Sequence, residues 1–400
     1  MPRNTSITLL SVGHACVDVY QGAVASLVPF FVAERAYGYA AASGLVLAAS
    51  ALSSVAQPVF GALTDRWAMP WLLPVATLLS GVGMALCGVS DSYAVTLACV
   101  ALSGLGVAAY HPESARVARL AGGGHRAMAW FSLGGNVGFA LAPLLVSAVV
   151  AAGGLRLSPL LVVPALVGSA LCLPVLRAVR RTAGARGRTA GGTGRDEPAA
   201  FVRLSLAVVC RSVVFVGLSA FVSLHVQQRT GGGTAAGTAA LFVLYLGGAV
   251  GSVLGGRLAD RWDRVTVCRW SYLATAVAVA GIVIAGGPVL YLFVALASAG
   301  LYVPFSLQVT LAQDYLPSRV GTAAGVTLGL TVSVGGLAAP LVGSLADATS
   351  LRTALAPLVL MPVLSWLLLR TLPEPAVPRP PEAVRGTGGA EDPRPPAGRG

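Results

Sequence analysis

The chain has 400 residues, of which 56% are hydrophobic and 10% charged, against about a quarter charged in an average soluble domain; its mean hydropathy is +0.78. So much apolar surface exceeds what a water-soluble core can hide, which excludes an ordinary soluble protein and makes lipid the solvent for most of the chain. The net charge of +12 comes from arginine alone, with no lysine; no basic stripe is interleaved with stacking aromatics, which excludes a nucleic-acid partner.

The N-terminal MPRNTSITLL leads into an apolar run too long for a signal-peptide core, so it reads as a first retained span. Apolar runs of about 20 residues predict helices over 5–33, 40–63, 71–90, 93–115, 127–152 and 157–177. A second set follows over 203–227, 236–258, 265–286, 289–313, 320–345 and 353–372. The weakest separation is between the fifth and sixth, where only AAGGLRLSP interrupts the apolarity. Six cysteines lie inside these runs without a C-x-x-C pair, so neither a zinc site nor a disulfide framework is indicated.

Ionisable groups at membrane depth cost roughly 2.5–3.5 kcal/mol each on insertion scales and mark function by default. The first helix carries His14 and Asp18 at i and i+4, on one face and near the middle of the span. Two readings are open: a carboxylate that loads and releases a proton with the imidazole tuning it, or a polar pair holding helices together. The fourth helix ends in YHPESARVARLAGG, where His111, Glu113 and Arg116 approach the cytoplasmic end and Pro112 can bend the helix. Glu113 and Arg116 stand at i and i+3, as a proton or anion site or as a structural ion pair. His125 and Arg119 read as loop residues.

Asn136 in the fifth helix is either a substrate contact or interhelical glue. Arg211, two turns into the seventh, is always charged and needs a carboxylate or an anionic ligand; Asp18 or Glu113 is the expected partner. His225 falls near the external end, where it reads as interfacial. Gln308 in the tenth helix stands 195 residues after Glu113, an amide where the first half has an acid.

The linker 178–202 is Gly- and Arg-rich and cannot build a core. The tail 373–400 is rich in Pro, Gly and Arg and reads as disordered. The expected organisation is a six-helix bundle over 1–177, a cytoplasmic linker, a second bundle over 203–372 and a cytoplasmic tail. With an even number of spans and the N-terminus inside, only Arg35, Arg156, Arg229 and Arg352 fall outside the cell, which satisfies the positive-inside rule.

The halves repeat. The second helix ends in GALTDRW (Gly61, Asp65, Arg66) and the eighth in GRLADRW (Gly256, Asp260, Arg261), 195 residues apart. Gly138-x-x-x-Ala142-Pro143 and Gly335-x-x-x-Ala339-Pro340 match at an offset of 197. Two matches in the same order at nearly one offset point to a duplicated unit, in parallel because six spans precede the second copy.

These motifs resemble those of the Major Facilitator Superfamily. The resemblance implies an all-α integral membrane fold of twelve helices in two pseudo-symmetric bundles, with the two Gly-x-x-x-Asp-Arg motifs as cytoplasmic gates. It also implies an antiporter-type fifth-helix motif. His14-x-x-x-Asp18, His111-Pro-Glu-Ser-Ala-Arg116, the Gly-Gly-Asn136 run, Arg211-Ser and Gln313-Asp-Tyr-Leu-Pro resemble the fosmidomycin-resistance branch, over roughly residues 10–370.

The function expected is proton-driven efflux of a small organic compound by alternating access in a bacterial cytoplasmic membrane. Asp18, His14, Glu113 and His111 would couple protons, and Arg116, Arg211, Gln308 and Asn136 would contact substrate. The branch's phosphonate would suit the two arginines. The alternatives are proton-coupled uptake on the same fold, or a membrane-embedded metal enzyme using His111 and Glu113, for which no H-E-x-x-H motif is present. No enzymatic activity, cofactor or metal is expected, and the chain is expected to act as a monomer.

Overall fold

The computed structural model describes residues 3–67, 69–122, 125–180 and 196–375. A helix stands at each predicted span. These are α1 (Arg3–Arg35), α2 (Tyr39–Arg66), α3 (Leu72–Leu86), α4 (Tyr93–Gly122), α5 (His125–Gly153) and α6 (Val163–Arg180), then α7 (Pro198–Thr230), α8 (Gly233–Ala259) and α9 (Arg264–Ile284). They are followed by α10 (Val289–Tyr315), α11 (Val320–Ala348) and α12 (Leu351–Leu369), the last with a tighter turn over Ala356–Val359. Among the described residues nine helices are long and apolar enough to cross a membrane, and shorter apolar stretches occupy Tyr39–Ser53, Leu72–Leu86 and Val334–Ala348. Many large apolar side chains point outward, Leu341 and Val277 among them, as lipid-facing helices require.

Local chemistry sets the ends. The weakly marked break after α5 falls at Gly154, whose φ of 71° turns the chain into a 3-10 segment over Leu155–Val162 before α6. Gly231, at φ 67°, ends α7, a backbone conformation that glycine adopts without steric cost. Asp263 caps α9 by accepting the Thr266 N–H at 2.7 Å. Helix α6 continues to Arg180 and α7 begins at Pro198, so helix extends into both ends of the segment expected as linker. Residues 181–195 and 376–400 lie outside the described residues.

The duplication is visible in three dimensions. Helix α1 packs on α5 and α7 on α11, in each case through a glycine whose missing side chain lets two backbones meet. A Cβ on Gly138 would collide with the Ala15 carbonyl, and one on Gly335 with the Ser212 carbonyl. The halves meet where α2 lies against α11 and α5 against α8. At the end where α2 begins, Asp347 of α11 accepts the N–H groups of Tyr39 at 2.8 Å and Ala40 at 2.9 Å. Gln228 of α7 donates to the Tyr39 hydroxyl at 3.1 Å. This end is therefore clasped across the two halves.

Candidate functional site

Helices α1, α4 and α5 converge on three side chains, His14 and Asp18 buried and His111 partly buried. His14 and Asp18 stand one turn apart on α1, with His14 Nε2 3.3 Å from Asp18 Oδ2. His111 reaches in from α4, its Nε2 3.1 Å from Asp18 Oδ1 and 3.4 Å from His14 Nε2. Each imidazole is held from behind by a backbone carbonyl. His14 Nδ1 lies 2.8 Å from the Phe131 oxygen, and His111 Nδ1 2.7 Å from the Val107 oxygen. The His14 ring also stacks on Phe131, centroids 4.1 Å apart and planes 12° apart.

A carbonyl only accepts, so both Nδ1 atoms carry hydrogen and, in the neutral rings, both Nε2 atoms are acceptors. They face each other and a carboxylate, which also only accepts. Such an arrangement is cohesive only when a positive charge is shared among the three groups. Space for it comes from Gly135 on α5: a Cβ there would collide with Asp18 Oδ2 and come within 2.6 Å of His14 Cε1.

His111 and Glu113, neighbours along α4, part company: His111 turns to Asp18 and Glu113 to Arg116. Glu113, wholly buried, receives both the Nε and an NH2 group of Arg116, the Nε at 2.7 Å. The structure thus brings His14, Asp18 and His111 together and does not pair His111 with Glu113.

The expected partnership of Arg211 with Asp18 or Glu113 is not what forms either, because both carboxylates are engaged elsewhere. Arg211 is buried in the second half, donating to the Leu301 carbonyl at 3.3 Å with its guanidinium 5.1 Å from the centre of the Phe305 ring. Gln308 donates to the Tyr272 hydroxyl at 2.7 Å, and that tyrosine lies within electrostatic range of Arg211. Tyr302 of α10 meets the Phe215 ring edge-on at 5.5 Å and lies within electrostatic range of both Arg211 and Asp18. Asn136 is half-buried. His225 is buried near the end of α7, its Nε2 2.9 Å from the Ile282 carbonyl.

At the two gate motifs, Gly61 and Gly256 have nothing within 4 Å of where a Cβ would sit. Asp260 and Arg261 are exposed just past the end of α8. The side chains of Asp65, Arg66, Arg119 and His125 lie outside the described residues.

Between the halves lies a cavity walled by α1, α2, α4 and α5 on one side and α7 and α8 on the other. Phe139 of α5 meets Tyr245 of α8 edge-on across it at 4.4 Å, and Phe215 of α7 lies 6.2 Å from each. Val107, whose carbonyl orients His111, is also part of its wall.

An all-helical, multi-pass membrane protein of two parallel repeats around a central cavity defines the transporter class. A sequence model of the Major Facilitator Superfamily matches residues 10–340, and the chain belongs to that family. It is 29% identical over 377 residues to the fosmidomycin resistance protein of Escherichia coli (strain K12), covering 90% of this chain and 91% of that one. It is 28% identical over 376 residues to the uncharacterized MFS-type transporter YfnC of Bacillus subtilis (strain 168), with the same coverage.

Among solved structures it resembles the nucleoside transporter NupG, with a TM-score of 0.75, 10% identity and coverage of 92% of this chain and 99% of that one. It also resembles a bacterial homologue of the human lysosomal transporter Spinster in an inward-facing, occupied conformation. There the TM-score is 0.73 at 15% identity, with 91% of this chain and 95% of that one covered. At these identities the two structures speak for the fold alone. Membership of a transporter family agrees with the reading that the chain is not an enzyme.

Proposed function

We propose that this chain is a proton-coupled exporter of a small organic compound in a bacterial cytoplasmic membrane, with both termini in the cytoplasm. The observation that carries the reading is the convergence of Asp18, His14 and His111 on one another, three groups that cohere with a shared proton and repel without it. Of the other titratable groups, Tyr110 of α4 and Tyr302 of α10 lie within range of Asp18. Proton loss leaves two lone pairs and a carboxylate facing one another across 3.1–3.4 Å, and this loosens α1 from α4. Because α1 and α4 also wall the cavity, loss of the proton and rearrangement of the cavity are linked.

Alternating access then rocks the halves about the cavity. The Asp347–α2 clasp closes one end, and the gate motifs serve the other. The resistance named in the E. coli relative supports export over uptake.

Everted membrane vesicles test the reading. With an acidic lumen, addition of a transported member of a panel of dyes and antibiotics that includes fosmidomycin should alkalinise the lumen as substrate enters and protons leave. Asp18→Asn should abolish that response while the protein remains in the membrane. Normal coupled transport by Asp18→Asn would remove the proton role. Accumulation of the same compounds by intact cells, driven by an inward proton gradient, would favour uptake symport. A stoichiometric transition metal in the purified protein would replace the shared proton as the account of the cluster.

A further inference from the structure

The central cavity holds information on substrate chemistry that the motifs do not. Among the described residues that line it, none carries a formal charge. Both arginines expected to bind an anion lie elsewhere: Arg116 faces Glu113, and Arg211 sits against Leu301 and Phe305, neither of which is part of the wall. What the wall does offer is aromatic surface from Phe139, Phe215 and Tyr245, with the Gln21 amide and the Ser103 hydroxyl among its polar groups.

Ser103 is 1% exposed, and its Oγ has no hydrogen-bond partner among the described residues. A buried hydroxyl without a partner is rare in folded proteins, and one facing a ligand space calls for a group that completes it. A charged ligand would leave water for a wall with no counter-charge, which is costly in a low-dielectric site. A cation over a ring face gains less than a charge costs at membrane depth, whereas an uncharged ring packs there without that cost.

We propose that the cavity selects an uncharged aromatic compound bearing a hydrogen-bond acceptor for Ser103, and disfavours anionic phosphonates and carboxylates. The aromatic body slides among Phe139, Phe215 and Tyr245, so binding bridges the halves that must move relative to one another. This assignment rests on the exporter reading for the direction of transport only; occupancy of the cavity is independent of it.

The test is equilibrium binding to the full-length protein in lipid nanodiscs, without a proton gradient, using one ring system with four substituents. The probes are 2-naphthamide, 2-naphthoate, 2-naphthylphosphonate and a 2-naphthyl trimethylammonium salt, with naphthalene as the unsubstituted reference. The amide should bind at least about tenfold more tightly than the three charged probes, given the cost of bringing charge into such a site. Ser103→Ala should weaken the amide by about fivefold, the scale of one neutral hydrogen bond, and leave naphthalene unchanged. Phe215→Ala should weaken the amide and naphthalene alike.

Tightest binding by any charged probe overturns the proposal, as does failure of the amide to bind or an equal effect of Ser103→Ala on the amide and naphthalene. If the amide behaves as expected but Asp18→Asn still transports with coupling, the cavity assignment stands and the proton reading falls. If coupling depends on Asp18 but the phosphonate binds best, the reverse holds.

Discussion

In the first half α1 meets α5 where Gly138 lies on the Ala15 carbonyl; in the second, α7 meets α11 where Gly335 lies on the Ser212 carbonyl. Both members of the second pair stand 197 residues after their counterparts in the first. The same offset takes His14 to Arg211 and Asp18 to Phe215, and an offset of 195 takes Glu113 to Gln308. The backbone framework has been kept while the charges on it have been redistributed. One half gathers two imidazoles, which as free groups titrate near neutrality, around a carboxylate. The other holds a guanidinium that stays charged, with an amide and phenols around it. What the comparison teaches is that a duplicated scaffold can divide its labour by changing side chains at matched positions.

The sharpest way to strain that comparison is to close the space in which the first half's cluster meets. Gly135→Val overpacks α1 against α5, at a cost of about 1–3 kcal/mol, and should abolish coupled transport in vesicles with a measurable fall in Tm. Gly256→Ala is the contrast: open space surrounds that position, and alanine favours a helix over glycine by roughly 0.5–1 kcal/mol, so Tm should hold or rise.

Arg211→Met comes next. Exchanging a buried charge for an apolar side chain of similar length is often neutral or stabilising. It should leave the pH dependence of transport in vesicles where it is, while the rate changes. A displaced pH midpoint would show that the two halves share the proton and would break the division of labour.

The smallest effect belongs to Asp347→Ala, which removes an exposed clasp. In a cysteine-less background, a cysteine placed at the cavity wall by Val46→Cys should be labelled from the clasped end about two- to fivefold faster, the scale of one exposed charged contact. An unchanged rate would show that α2 and α11 hold that end closed by packing alone.

Much of this was legible because its causes are local. Apolar runs longer than a bilayer is thick announce helices whatever surrounds them, and the Gly-Asp-Arg and Gly-Ala-Pro repeats announce the duplication. His14 and Asp18 could be paired from helical spacing alone. The arrival of His111 could not, since a helix's own sequence does not say which neighbour each of its faces will meet. Its nearness to Glu113 along α4 suggested an association that the Glu113–Arg116 pair forecloses. Gly135 carries no chemistry of its own and stands beside the polar Asn136, yet the spacing of Gly134, Gly135 and Gly138 is a signal for close helix contact. Tyr302 and Asp347 act across the halves, and no pattern within either half points to them.

The Asp347 clasp has a consequence for how this protein can diverge. On the α2 side it is made of peptide N–H groups at Tyr39 and Ala40, which every amino acid but proline supplies. As far as this contact goes, those two positions can take nearly any residue, so its restriction falls on residue 347; beside it, the Tyr39 hydroxyl that Gln228 meets ties a side chain on α2. For the Asp347 contact no pair of positions is obliged to change together, and comparison of co-varying substitutions among relatives would pass over a contact that joins residues more than three hundred apart.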